Sequence, residues 1–147
     1  MTATFESDLA SARDALASAR EELLALVNSL SAPDLERARR GGWSVARVLQ
    51  HIIQGEHLYV RGMAHLTGSQ AEAPAMPSSA PDSTSEARQQ LDAGRAGFLA
   101  ALAAVSEESL YAIRPVGHEE FSALSLMENV AHHDLEHAAQ IREILAS

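Results

Sequence analysis

The sequence predicts an all-α protein that folds as a four-helix bundle. Four segments carry apolar residues at intervals of three and four, the spacing that places side chains on one face of an α-helix. A long loop rich in proline, alanine and serine separates the second segment from the third. The chain of 147 residues suits one hydrophobic core, so we predict a single domain over residues 1–147.

The first helix is predicted over residues 4–30. Its apolar positions advance by alternating steps of four and three residues, from Phe5 to Leu30. Thr4 is the expected N-cap, and Pro33 stops the helix from continuing because proline lacks the backbone N–H that a helix interior needs. This pattern indicates a packing helix without a chemical role.

The second helix is predicted over residues 43–66, with Ser44 as its N-cap. The proline-containing loop follows over residues 67–83. A loop of this length is typical either of a segment that covers a site or of a mobile connection, and the sequence does not choose between them.

The third helix is predicted over residues 84–105 and the fourth over 122–145. Ser83 and Glu86 form a capping-box pattern at the start of the third helix. Residues 106–121 show no clear period, and part of this segment is expected to be extended.

The composition excludes several classes of function. The formal charge is −9, with 11 basic against 20 acidic residues, which leaves no basic face for nucleic acid or an anionic membrane. There is no cysteine, so disulfides, thiolate metal ligands and a protein thiol nucleophile are excluded. No apolar run is long enough for a transmembrane helix, and no secretory signal pattern is present, so we expect a cytoplasmic protein.

Three histidines are placed to bind one metal ion. His133 and His137 are four residues apart on the fourth helix, so both imidazoles lie on one face and can reach the same cation. His51 lies at the edge of the apolar face of the second helix, and Gly55 leaves room one turn further on. The alternative for His51 is a core histidine bonded to a backbone carbonyl. Bundles usually build metal sites from side chains on facing helices, so we predict a divalent-metal site on His51, His133 and His137.

Two polar residues on the fourth helix are candidates for orienting these ligands. Asp134 lies on the apolar face, where an unpaired carboxylate is costly. Gln140 follows His137 by one turn. Because metal-bound imidazoles usually donate their second N–H to a carboxylate or carbonyl, we expect Asp134, or failing it Gln140, to hydrogen-bond a ligand imidazole or a water bound to the metal.

The other histidine patterns are assigned to the surface. His133, Glu136 and His137 match the H-x-x-E-H pattern of some zinc peptidases, but too few residues follow to supply a further acidic ligand. His132 and Glu136 form a second pair at the same spacing, which faces away from the apolar stripe. Four histidines are therefore predicted to be solvated: His57, His65, His118 and His132.

Two short motifs resemble those of the DinB/YfiT-like superfamily of metal-binding four-helix bundles. The stretch from Trp43 to His51, with Glu56 after it, is similar to the signature of that family's second helix. The stretch from His133 to Ile141 is similar to the signature of its fourth helix. The resemblance implies a three-histidine divalent-metal site at the positions predicted above, and frequent homodimers.

The expected function follows from an open metal site and from this resemblance. Three protein ligands leave coordination positions free, which is typical of catalytic sites, and the ligand set suits Zn, Ni or Fe. The resemblance implies activation of a small thiol, as in relatives that are mycothiol- or bacillithiol-dependent S-transferases or isomerases. Arg61 and Arg142 are the nearest cations for an anionic thiol. A metal-dependent hydrolase of a small-molecule substrate and a non-catalytic metal-binding stress-response protein are the alternatives. The pocket is expected between the second and fourth helices, with the 67–83 loop near its mouth.

Overall fold

Four long helices and a small hairpin make up the computed structural model, which describes residues 2–147. The elements in chain order are α1 (Ala3–Ser29), α2 (Ala32–Leu35), α3 (Val45–Thr67), α4 (Thr84–Leu102), α5 (Glu107–Tyr111), β1 (Arg114–Val116), β2 (Glu119–Phe121) and α6 (Ala123–Ala146). The predicted all-α four-helix bundle is confirmed, with α1 packed on α6, α3 on α4, and α3 on α6. No helix described within residues 2–147 has an apolar stretch long enough to cross a membrane.

The start of the chain differs in two details from the prediction. The hydroxyl of Thr2, rather than Thr4, accepts the hydrogen bond from the N–H of Phe5 and caps α1. Pro33 lies in the first turn of the short helix α2, where a missing N–H costs nothing because that position has no intrahelical acceptor. Pro33 therefore lies inside a second, short helix instead of simply ending the first one.

The segment without periodicity forms α5 and an antiparallel β-hairpin. Strand β1 pairs with β2 in a register that places Arg114 opposite Phe121. Gly117 lies in the turn with φ +64°, a conformation that glycine adopts without strain. The hairpin packs against α3 and α6, so it extends the bundle on the side of these two helices.

The hydrophobic core consists of two clusters stacked along the bundle axis. One cluster is built around Leu16, Met63, Phe98 and Met127. The other is built around Leu23, Leu49, Leu91 and Ile141. Each of the four long helices contributes to both clusters.

Each long helix also carries one buried charged residue, located between its residues in the first cluster and its residues in the second. These residues are Arg20, Glu56, Arg95 and Asp134. We call these four residues the ionic layer.

The ionic layer is a closed network of two guanidinium and two carboxylate groups. Arg20 donates from Nε and Nη2 to Asp134 at 3.0 and 3.1 Å, and from Nη2 to Glu56 at 2.5 Å. Arg95 donates to Glu56 at 3.2 Å and to Asp134 at 2.9 Å. Burial opposes the charge of Arg20, but Glu56 and Asp134 outweigh that effect and raise its pKa above the ordinary value. The layer is therefore electrically balanced inside a low-dielectric core.

The layer also explains a glycine in the middle of α4. A Cβ at Gly94 would lie 2.7 Å from Cγ of Glu56, a distance that real Cβ atoms do not tolerate. The absent side chain lets α3 and α4 approach closely enough for Arg95 to reach Glu56.

Replacing Arg95 with Met should lower the free energy of unfolding by about 3–5 kcal/mol, because it leaves buried carboxylates with half of their guanidinium partners. Urea denaturation followed by circular dichroism measures this change. The matched control is Arg88→Met on the same helix, whose ion pair with Asp92 is exposed; its loss should cost no more than about 1 kcal/mol. Equal effects of the two substitutions would show that the layer does not stabilise the fold as described.

Candidate metal centre

The three histidines predicted as ligands come together between α3 and α6. The ring centroids of His51 and His133 are 5.4 Å apart, those of His51 and His137 are 4.6 Å apart, and those of His133 and His137 are 4.4 Å apart. Each ring offers one nitrogen, and these three nitrogens lie within 4.8 Å of one another. All three side chains are half-buried. The i, i+4 pair on α6 and the single histidine on α3 thus share one point, as the spacing predicted.

Gly55 makes the approach of α3 to His133 possible. A Cβ at this position would lie 3.1 Å from Cε1 of His133 and 3.6 Å from Nε2. Any side chain here would therefore press on the imidazole, while glycine lets the ring lie directly against the backbone of α3.

The electrostatic surroundings favour the neutral form of two of the imidazoles, those of His133 and His51. Burial, and then the neighbouring His137 and His51, lower the pKa of His133 to about 4. Burial, followed by His137 and Arg47, also lowers the pKa of His51. Neutral imidazole is the form that binds metal ions, because the proton and the metal compete for the same lone pair.

Gln140 fixes the orientation of one of these rings. Nδ1 of His137 lies 2.7 Å from Oε1 of Gln140. Because an amide oxygen can only accept, Nδ1 carries the proton and donates it, which leaves the lone pair of Nε2 available. Gln140 is therefore in hydrogen-bond contact with one imidazole of the cluster.

Asp134 has a different role from the one expected. Both of its carboxylate oxygens accept from the guanidinium groups of Arg20 and Arg95, and its described hydrogen bonds include none to an imidazole. Of the two residues predicted to bond a ligand imidazole, Asp134 does not, because its buried carboxylate is bonded to these guanidinium groups; the contact is made by Gln140. Its carboxylate needed a partner, and the partners are arginines.

The donor set fits a divalent cation. Three imidazoles from two helices converge, one of them hydrogen-bonded to an amide, and a glycine makes room for another. Imidazole nitrogens are favoured by Zn, Ni, Cu and Fe. His51, His133 and His137 are therefore the residues that could hold such an ion.

A cavity of about 660 Å³ opens beside the histidines. His51 and His133 lie in its wall, and the remaining wall comes from α3, the start of α6 and the β-hairpin, including Val116 and Phe121. Among the residues that the structure describes, none from the 67–83 loop lines this cavity, although the loop was expected near its mouth. The hairpin occupies that position instead.

The long loop packs on the other side of α3. Ala71 and Ala73 are partly buried against the core, and the loop forms a separate cleft with His57. His57 was predicted to be solvated, but its side chain is buried, with only 2% exposed. Burial lowers the pKa of His57 below the ordinary value, and a hydrogen bond with the backbone of Pro74 offsets only part of this effect. The loop is therefore a covering segment for α3 and not for the metal centre.

The remaining histidines are exposed as predicted. His132 lies on the outer face of α6, where it pairs with Glu136 at 3.8 Å. His65 and His118 are exposed too, although both contribute to the rim of the cavity.

Two aromatic residues of the site were not assigned a chemical role from the sequence. The ring of Tyr59 meets that of His133 edge-on, with centroids 5.3 Å apart, and burial raises the pKa of its hydroxyl. Trp43 contacts His51 with centroids 5.5 Å apart and carries the guanidinium of Arg47 over its own ring. The apolar stripe of α3 contains Tyr59 at the spacing of a core residue, so periodicity alone could not show that it lines a cavity.

Comparisons with known proteins agree with this architecture. A sequence model described as the DinB superfamily matches residues 15–141 of the chain. Among solved structures, a DinB-like protein from Bacillus cereus is similar, with a TM-score of 0.74 over 96% of this chain and 90% of that chain. The two sequences are 18% identical, so this likeness establishes the fold alone. No curated protein matches the sequence.

The depressed pKa of His133 can be measured directly by NMR titration of the metal-free protein. We expect a midpoint near 4, and His51→Ala should raise it toward the ordinary 6.5 because one neighbouring imidazole is removed. In the unfolded chain the pKa is about 6.5, so protons bind the unfolded state better. The contribution of His133 should therefore make the free energy of unfolding fall as the pH drops from 6.5 toward 4. His132→Ala is the control that should leave the midpoint unchanged, and a midpoint of 6.5 or above in the parent protein would contradict the described burial.

Proposed function

The chain belongs to the DinB superfamily, and we propose that it is a metal-dependent enzyme holding one divalent ion on His51, His133 and His137. The observation that carries this proposal is the convergence of three imidazoles, two of which, His51 and His133, lie in the wall of a cavity large enough for a small molecule. Three protein ligands leave coordination positions open to a substrate, which is the arrangement of catalytic sites. The donor set suits Zn, Ni or Fe.

We further propose that the activated group is a small external thiol. When bound, the ion would lower the pKa of a thiol entering the cavity and make it a better nucleophile at neutral pH. The chain has no cysteine, so the sulfur must come from outside the protein. The family resemblance supports a thiol of the mycothiol or bacillithiol kind.

The residues of the chain supply binding, orientation and exclusion of water. Gln140 holds the tautomer of His137, and the apolar wall formed by the hairpin and α3 shields the ligand from solvent. Arg61 lines the same cavity and offers a positive charge to an anionic thiol. Arg142 is less suitable, because it forms an exposed ion pair with Glu22 at 3.0 Å.

The metal site is tested by the metal content of the protein purified without a histidine tag. We expect about one equivalent of metal per chain. His51→Ala, His133→Ala and His137→Ala should each lower the metal affinity by orders of magnitude, since each removes one of only three ligands. His132→Ala is the matched control, because this exposed histidine lies on the same helix and should leave affinity unchanged. Equal metal binding by all four variants would contradict the site.

The thiol is tested by titrating cobalt-substituted protein with mycothiol, bacillithiol and glutathione. At least one of them should perturb the cobalt spectrum. Arg61→Gln should weaken that binding by roughly two- to tenfold, as expected for a partly exposed charge pair. Arg142→Gln is the control that should not. If no thiol changes the spectrum, transfer chemistry is excluded; turnover of esters or amides would then indicate a hydrolase, and its absence a non-catalytic metal-binding protein.

A further inference from the structure

Tyr59 is a polar residue of the cavity wall whose ring contacts the histidine cluster. It follows Gly55 by one turn on α3, lines the cavity, and meets the imidazole of His133 edge-on at 5.3 Å and 83°. Its side chain is half-buried. The hydroxyl is therefore held beside the point at which the three histidines converge.

The hydroxyl has a donor for its oxygen but no acceptor for its proton. Nδ2 of Asn129, one turn before His133 on α6, donates to Oη of Tyr59 across 3.5 Å. Within residues 2–147 no hydrogen bond is formed in which Tyr59 donates. A tyrosine hydroxyl can donate one hydrogen bond as well as accept, and partly buried hydroxyls normally use both capacities. The free O–H is available to a molecule in the cavity.

The rest of the cavity favours a ligand with an apolar body. Val116, Phe121 and Leu126 contribute to its wall. At Gly62 a Cβ would lie 3.0 Å from Cγ1 of Val116, so α3 and the hairpin are in close contact at one side of the cavity. An apolar group fits between these walls, and Tyr59 offers a hydrogen-bond donor to an oxygen acceptor on the side of the histidine cluster.

We propose that Tyr59 donates a hydrogen bond to a carbonyl oxygen of an apolar small-molecule substrate, and so holds the electrophilic carbon next to the three histidines. This role rests on the proposed function of the site, because it assigns the substrate class that the cavity accepts. Such substrates are aryl or alkyl carbonyl compounds. The hydrogen bond orients the carbonyl and polarises it toward attack by a nucleophile.

The proposal is tested with two probes that differ in the acceptor, acetophenone and ethylbenzene. Their affinities are measured from backbone amide shifts in NMR titrations of the full chain, first without metal and then with one equivalent of zinc. The variant is Tyr59→Phe, which keeps the ring against His133 and removes only the hydroxyl. Tyr111→Phe is the matched control, because that tyrosine is exposed and bonded to Asp8 outside the cavity.

We expect Tyr59→Phe to weaken acetophenone binding about tenfold, the loss of one hydrogen bond, and to leave ethylbenzene within about twofold. Tyr111→Phe should change neither. The proposal is overturned if acetophenone does not bind the cavity of the parent protein, if its affinity is unchanged in the variant, or if both probes weaken equally, since that would indicate ring packing alone. Failure to take up zinc would overturn the metal site, whereas the metal-free titration decides the role of Tyr59 independently.

Discussion

The ionic layer is the constraint on which the rest of the structure depends. Each long helix places one charge at the same level, and each guanidinium reaches both carboxylates only when all four helices are in register. Sliding one helix by a turn would bury its charge in an apolar cluster without a partner, which costs several kcal/mol per ion. Apolar packing alone tolerates such shifts better, because leucine and isoleucine fill similar spaces. The ionic layer therefore selects one alignment of the helices among several that their apolar faces alone would permit.

The geometry of the three-histidine cluster follows from that alignment. Asp134 follows His133 directly on α6, and Glu56 follows Gly55 directly on α3. Pairing Asp134 and Glu56 with the same two arginines sets the heights of α6 and α3, and those heights bring Gly55 against the ring of His133. Core and site are thus built from adjacent residues that point in different directions. A substitution in the layer should move the ligands even though it touches none of them.

The sequence predicted the helices and the three histidines because both depend on local spacing. Apolar periodicity fixes which face of a helix is buried, and an i, i+4 pair fixes which side chains share a face. The ionic layer has a sequence signal of the same kind, a charged residue on the apolar face of each helix, but only Asp134 was predicted from it. Arg20 follows Leu16 by four residues and precedes Leu23 by three, so it too lies on an apolar stripe, as do Glu56 and Arg95. Two positive and two negative charges on four apolar helix faces predict that these residues pair with one another. Treating Asp134 alone gave it the wrong partner.

Helical periodicity could not predict the part of the cavity wall that the β-hairpin forms, because that segment has no clear period. The proline-rich loop was the longer irregular segment and was therefore expected at the mouth, yet its alanines pack on α3 beside His57. The hairpin is held over the site by contacts with α3 and α6 that depend on tertiary packing, not on local pattern. A three-histidine metal site can support several reactions, because a bound ion would lower the pKa of any protic molecule that coordinates it. We propose that the hairpin, Tyr59 and Arg61 decide which molecule reaches the site, and of these only the hairpin lies outside the helices that periodicity predicts.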